Sequence, residues 1–239
     1  MQNKTQWQPT ITIQRGDQFV PNEAGLYGGS LHVVHCQLAA YIPAFQRYLK
    51  GKLLDVGCGQ VPYSEICAPW VESHYGIDHK DYMADDRFID ESIDLNSSWQ
   101  LNKRFDSILC SDVLAHVQNP FHLFQSMSQH LKPDGHLIVT TPFNYWMSHP
   151  PQEYFHATEE ALRHLCAAHG LEVIQLQSYG GYADIQLDML NKRWSYGWRY
   201  RCFKVLRKIV INTRIYRRRN SKFAYNWSLG YLLVARKIA

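Results

Sequence analysis

The chain has 239 residues, 46% hydrophobic and 19% charged, with 14 Gly and 10 Pro. That length and balance suit one α/β domain with a sizeable core and exclude disordered, collagen-like and coiled-coil classes. The formal charge of +4 hides a division: 14 of the 25 Lys and Arg lie in residues 189–239, beyond Asp188, the last carboxylate, which implies an acidic body and a basic end that meets a polyanion.

Residues 1–30 read as an irregular arm punctuated by Gly16, Pro21, Gly25, Gly28 and Gly29. Their polar start lacks the apolar core of a signal peptide, and no apolar run approaches the roughly 18–20 residues that span a bilayer. The six cysteines show no C-x-x-C pair. The expectation is a cytoplasmic protein, with association at the inner face of the membrane left open. Apolar residues from Leu31 to Leu49 recur at helical spacing, with Pro43 as an expected break. Strands are predicted over 53–56, 73–77, 87–93, 105–110, 136–141 and 171–177, and helices over 62–69, 119–131 and 158–169. Thr158, followed by Glu159 and Glu160, is a good helix start, and Gly170 a good stop. This alternation predicts an α/β fold, a doubly wound, mostly parallel seven-stranded sheet. A single domain, 31–239, is expected, with residues 183–222 a basic helical insertion before the last strand. In it, an amphipathic helix over 200–216 puts Cys202, Val205, Leu206, Ile209 and Val210 on one face, and Arg201, Lys204, Arg207 and Lys208 on the other. Residues 217–221 read as an exposed turn, and 231–236 as a strand at the sheet edge.

Asp55-Val-Gly-Cys-Gly-Gln-Val-Pro lies where the first of these strands meets its helix, and glycines there let the backbone approach a ligand. A dinucleotide asks for a third small residue and an open helix N-terminus for its pyrophosphate. Here Pro62 takes the third glycine's place, and Asp55 sets a carboxylate beside the turn. A phosphate-free ligand with a cationic end suits these residues better, and S-adenosyl-L-methionine is one.

These motifs, in this order, resemble the class I S-adenosylmethionine-dependent methyltransferases of the type 11 group. Leu54-Asp-Val-Gly-Cys-Gly matches their first motif and Tyr75-Gly-Ile-Asp their second strand. Phe105 to His116 matches the fourth strand and its turn, and Leu131 to Phe143 the fifth-strand signature. The resemblance implies that Asp55, Gly57 and Gly59, with Cys58 between them, hold the methionine end. Asp78, followed by His79, takes the ribose hydroxyls, and Asp94 with Leu95 the adenine. Ser111 and Val113 line the cleft.

Methyl transfer to a hydroxyl needs an aligned nucleophile and a proton acceptor. His116 is one candidate, set against a purely structural histidine. The segment His149 to Thr158 resembles a loop found in methyltransferases of glycan and polysaccharide assembly. It makes His149 and His156 catalytic candidates, and Glu153 and Tyr154 acceptor-binding ones; the other reading is a proline-stiffened connection. The expected reaction is O-methylation of a sugar, glycan-related or lipid-linked acceptor, anionic groups included. Alternatives are a small-molecule or nucleic-acid methyltransferase, or a cofactor-binding scaffold without catalysis. Residues 199–219 suit peripheral membrane contact or a structural cap, with nucleic acid third. The histidine pairs His32/His35 and His164/His169 lack partners at zinc spacing, so no metal is expected.

Overall fold

A computed structural model describes residues 8, 10–80, 87–148, 150–222 and 226–238. A seven-stranded sheet runs in the order β5 (Glu91–Ser92), β4 (Ser73–Asp78), β3 (Lys52–Val56), β6 (Phe105–Ser111), β7 (Leu131–Pro142), β9 (Gly230–Lys237), β8 (Leu171–Tyr179). β5, β4, β3, β6 and β7 pair in parallel, and β9 is antiparallel to both neighbours. Parallel strands need covered faces, and the two helical layers supply them. On one face α3 (Pro120–His130) and α4 (Glu159–Ala168) press Leu123, Phe124, Leu162 and Leu165 onto Leu54, Val56, Ile108 and Val139. On the other, α1 (Leu31–Tyr48), α2 (Ser64–Cys67) and α5 (Tyr182–Arg193) meet Leu53, Leu109, Ile138 and Leu232. The capping signal at Thr158 is realised, its hydroxyl accepting from the Ala161 amide at 3.2 Å.

Several expectations change. Part of the arm is ordered: β1 (Thr12–Arg15) and β2 (Gln18–Pro21) form an antiparallel hairpin across Gly16, whose φ of +59° suits a tight turn. Helix α1 runs through Pro43 without stopping. The strand expected over 87–93 shrinks to two residues. β9 is not at the edge, because its residues are apolar on both faces: Leu232 and Val234 enter one cluster, Leu233 and Ala235 the other. The tail forms two helices, α6 (Gly197–Val210) and α7 (Arg214–Lys222), so residues 217–221 are helical rather than a turn. Among the described residues, no helix is long and apolar enough to cross a membrane.

Candidate functional site

The carboxyl ends of β3, β4 and β6 meet where the strand order reverses direction about β3, the position at which open α/β sheets form a ligand crevice. The glycine turn closes it on one side. Gly57 and Gly59 have φ of +69° and +52°, and a Cβ on Gly57 would sit 2.3 Å from Cγ2 of Val113. The turn's amides point inward. Those of Gly57 and Cys58 donate to the Ile77 carbonyl at 2.8 and 3.1 Å, and that of Gly59 donates to Asp78 Oδ2 at 2.8 Å. A pyrophosphate cradle needs such amides turned outward, so this loop does not fit a dinucleotide.

Asp78 is the hinge of the turn. Its Oδ1 accepts from the His79 amide at 2.7 Å, and burial raises its pKa despite that bond and the one from Gly59. Each carboxylate oxygen has a second lone pair, so both remain acceptors for a ligand's hydroxyls. Asp55 lies deeper, 6% exposed, with Oδ2 against His74 Nε2 at 2.9 Å. Cys58 turns its thiol into a small cluster with Val61, Phe88 and Ile89, where burial pushes the thiol's pKa up, and so offers the crevice only backbone. Asp94 is exposed and caps its own turn, accepting from the Asn96 amide at 2.9 Å; Leu95 is core.

Across the crevice, Ser111 Oγ pairs with Thr140 Oγ1 at 3.0 Å, and the side chain of Val113 packs over Gly57. Between them stands Asp112, a strand-end acid whose role the sequence alone leaves open. It adopts φ +56°, and its carboxylate accepts from Gln37 Nε2 at 3.1 Å, with the Tyr41 hydroxyl at 3.5 Å. Burial among Tyr41, Tyr63 and Tyr179 pushes its pKa up to about 6. The available signal was an acid directly after an apolar strand; its left-handed backbone, which Asp tolerates, shows only in the structure.

Two of the expected catalytic histidines, His116 and His156, each meet a backbone carbonyl. His116 Nδ1 donates to the Gln152 carbonyl at 2.7 Å, and the amides of Tyr154 and Phe155 donate to the Ala115 carbonyl. Glu153 accepts from the Ser148 amide at 2.6 Å and meets His156 Nε2 at 2.7 Å, while His156 Nδ1 reaches the Phe143 carbonyl. The Tyr154 hydroxyl accepts from Gln118 at 3.1 Å. His116 and Tyr154 thus fasten the loop to the turn after β6, while Glu153 and His156 hold it to itself and to the residue that follows β7. His149 lies outside the described residues.

Beyond the loop, aromatic rings run outward from Tyr145. Lys192 lies 4.1 Å from its ring centroid, Trp146 stacks on Tyr27 at 6.3 Å, and Tyr27 touches Tyr196 at 5.6 Å. Tyr145 is pushed up to about 12 by burial and by the nearby carboxylates of Asp188 and Asp112. Separately, His32, Cys36 and Asp184 bring ligand atoms within 4.8 Å of one another. Arg207 Nε donates into His32 Nδ1, which puts the ring's hydrogen on Nε2, the nitrogen that faces Asp184 and Cys36, so that atom donates rather than ligates.

A methyltransferase domain family model matches residues 31–176. The ubiquinone biosynthesis O-methyltransferase of Glaesserella parasuis is 34% identical over 131 residues, covering 46% of this chain and 54% of that protein. Its counterpart in Coxiella burnetii is 32% identical over 122 residues, covering 46% and 52%. The chain therefore spans about half the length of the curated relatives it matches. Among solved structures, an S-adenosylmethionine-dependent methyltransferase from Mesorhizobium loti superposes with a TM-score of 0.55 at 15% identity, over 84% of this chain and 98% of that one; at that identity the likeness concerns the fold.

Proposed function

The chain belongs to the S-adenosylmethionine-dependent methyltransferase family, and from that premise we propose that it transfers a methyl group to a hydroxyl oxygen of a small aromatic acceptor. The observation that carries this reading is the crevice itself: inward-turned amides exclude a phosphate cradle, while the Asp78 oxygens offer acceptors for a ribose's hydroxyls. S-adenosylmethionine supplies a methyl carbon on a sulfonium leaving group. Asp78 would hold the ribose hydroxyls and Gly57, Gly59 and Ser111 would border the rest, with Asp55 behind the turn and Asp94 at the adenine end.

Asp112 is the residue suited to take the acceptor's proton. It lies between Ser111 and Val113 at the crevice, and a carboxylate with a pKa near 6 is a better base near neutrality than an ordinary aspartate. The aromatic run through Tyr145, Trp146 and Tyr27 favours a flat apolar acceptor, and the relatives' names, O-methyltransferases of ubiquinone biosynthesis, point the same way. A sugar acceptor has no comparable support, since Glu153 and His156 spend their polar atoms on the loop.

Titration calorimetry tests the cofactor half. Wild-type protein should bind S-adenosylhomocysteine, and Asp78→Ala should weaken it about 10- to 100-fold, the worth of charge-assisted hydrogen bonds. Absence of binding by folded wild-type protein would sink the reading.

A further inference from the structure

Helix α6 is mounted with Phe203 and part of its basic face against the body. Phe203 is fully buried beneath it, and its cations Lys204 and Arg207 turn toward the body, Lys204 to Glu23 at 2.8 Å and Arg207 to His32 at 3.0 Å. The apolar stripe faces away: Trp198 is 69% exposed, Val205 62% and Ile209 62%, with Cys202 and Leu206 between them. At 100° per residue these five fall within one side of the helix, with exposed Arg201 and Lys208 along one flank and Arg199 along the other. Ile215 on α7 adds an apolar side chain 70% exposed. Among the described residues nothing packs on this stripe, and soluble monomers rarely leave such a continuous patch open.

We infer that this face of α6 seats on an anionic lipid bilayer, with Trp198, Val205 and Ile209 in the acyl boundary and Arg199, Arg201 and Lys208 at the headgroups. Apolar side chains flanked by cations are the pattern of an interfacial helix, and residues 189–239 contain no carboxylate that would repel the surface. That composition also argues against a second copy as occupant, because a two-fold contact through this face would set cation against cation with no acid of the segment to relieve it. The ring contacts Tyr196–Tyr27–Trp146 lead from the start of α6 toward Tyr145, so the seated helix would present the acceptor side of the crevice to the bilayer; this last part rests on the acceptor reading above.

Vesicle sedimentation with the full chain tests the surface. Vesicles of phosphatidylcholine enriched in phosphatidylglycerol should retain the protein and phosphatidylcholine alone should not, with retention falling as salt rises. Val205→Glu/Ile209→Glu and, separately, Arg201→Gln/Lys208→Gln should each weaken retention about tenfold or more. All these side chains point outward, so thermal melting and S-adenosylhomocysteine binding should not change. The inference is overturned if folded protein ignores phosphatidylglycerol vesicles or binds both vesicle types alike. It is equally overturned if a solution dimer dissociates with Ile209→Glu, or if an oligonucleotide binds more tightly than vesicles and ignores the Val205 and Ile209 changes. Loss of S-adenosylhomocysteine binding alone would count against the proposed reaction and leave the surface standing.

Discussion

Asp112 joins a strained backbone to a displaced ionisation. A φ of +56° is costly for most side chains and tolerable for Asp or Asn, so the position selects its residue type before any chemistry does. Burial then raises the carboxyl to about 6 against an ordinary 3.8. The folded state holds a proton there that the unfolded chain releases, so the group's contribution to stability is complete below about pH 4. It is lost as the pH climbs through 6. Keeping the charge above that range costs on the order of 3 kcal/mol, since each tenfold change in proton affinity is worth about 1.4 kcal/mol. Asp112→Asn keeps the backbone preference and removes the charge. Urea unfolding at pH 8 should find the variant about 1–3 kcal/mol more stable than wild type, with the gap about halved at pH 5 and closed only below about pH 4. The proposed role adds a second expectation: kcat/KM of wild type should rise with pH around 6, and the variant should lose that limb with about 10²–10⁴-fold of the rate. A variant that is more stable and fully active would make Asp112 a structural acid.

At the scale of elements, the loop carrying His156 shows how a catalytic-looking string can be structural. Glu153 is fixed by Ser148 and His156, His156 by Phe143, and the loop's backbone by Ala115. Breaking this clamp should act through position rather than chemistry. Glu153→Gln keeps one acceptor and should cost about 1 kcal/mol, while Glu153→Ala, which removes the acceptor of the half-buried Ser148 amide, should cost about 1–3 kcal/mol; hydrogen exchange over 150–158 should rise, with no new limb in the pH–rate profile. An altered limb would return Glu153 to the chemistry. Order and spacing of apolar runs made β3, β4, β6 and β7 legible, because a buried parallel strand leaves a run that nothing else explains. The β1–β2 hairpin was lost to its glycines, read as marks of an irregular arm when Gly16 was closing a turn. In β9, Arg236 and Lys237 outvoted the doubly buried run before them. For α6, periodicity gives two faces but not which one docks; Glu23 and His32, each more than 170 positions away in sequence, decide that. Asp78 and the glycine turn were readable because their spacing is local, whereas the surroundings of Asp112 come from α1, β7 and β8.

For the whole molecule, a buried polar knot is one of the joints that tie the two basic helices to the body. Asp184, 4% exposed, accepts from His32 on α1, from Tyr216 and Asn220 on α7, and from the Gly181 amide that begins its own helix. Because Arg207 donates into His32 Nδ1, the ring's hydrogen lies on Nε2 and points at Asp184. Burial opposes the charge, yet these hydrogen bonds, that from His32 foremost, hold the carboxyl below its usual range. A depressed carboxyl contributes stability that is present above the ordinary carboxylate range and drains away as the pH falls through it. Asp184→Ala would leave His32, Tyr216 and Asn220 facing one another without an acceptor, a loss of about 3–5 kcal/mol near neutrality. That difference should shrink below about pH 4, where wild type also loses the charge. The knot sits between the sheet and the two basic helices, so the damage should be uneven: in hydrogen exchange, residues 182–222 should open first while β3, β6 and β7 stay protected, and vesicle retention should fall with S-adenosylhomocysteine affinity intact. Uniform loss of protection across the sheet would mean that the basic end is part of the core's cooperative unit, and the functional separation of body from tail would fall with it.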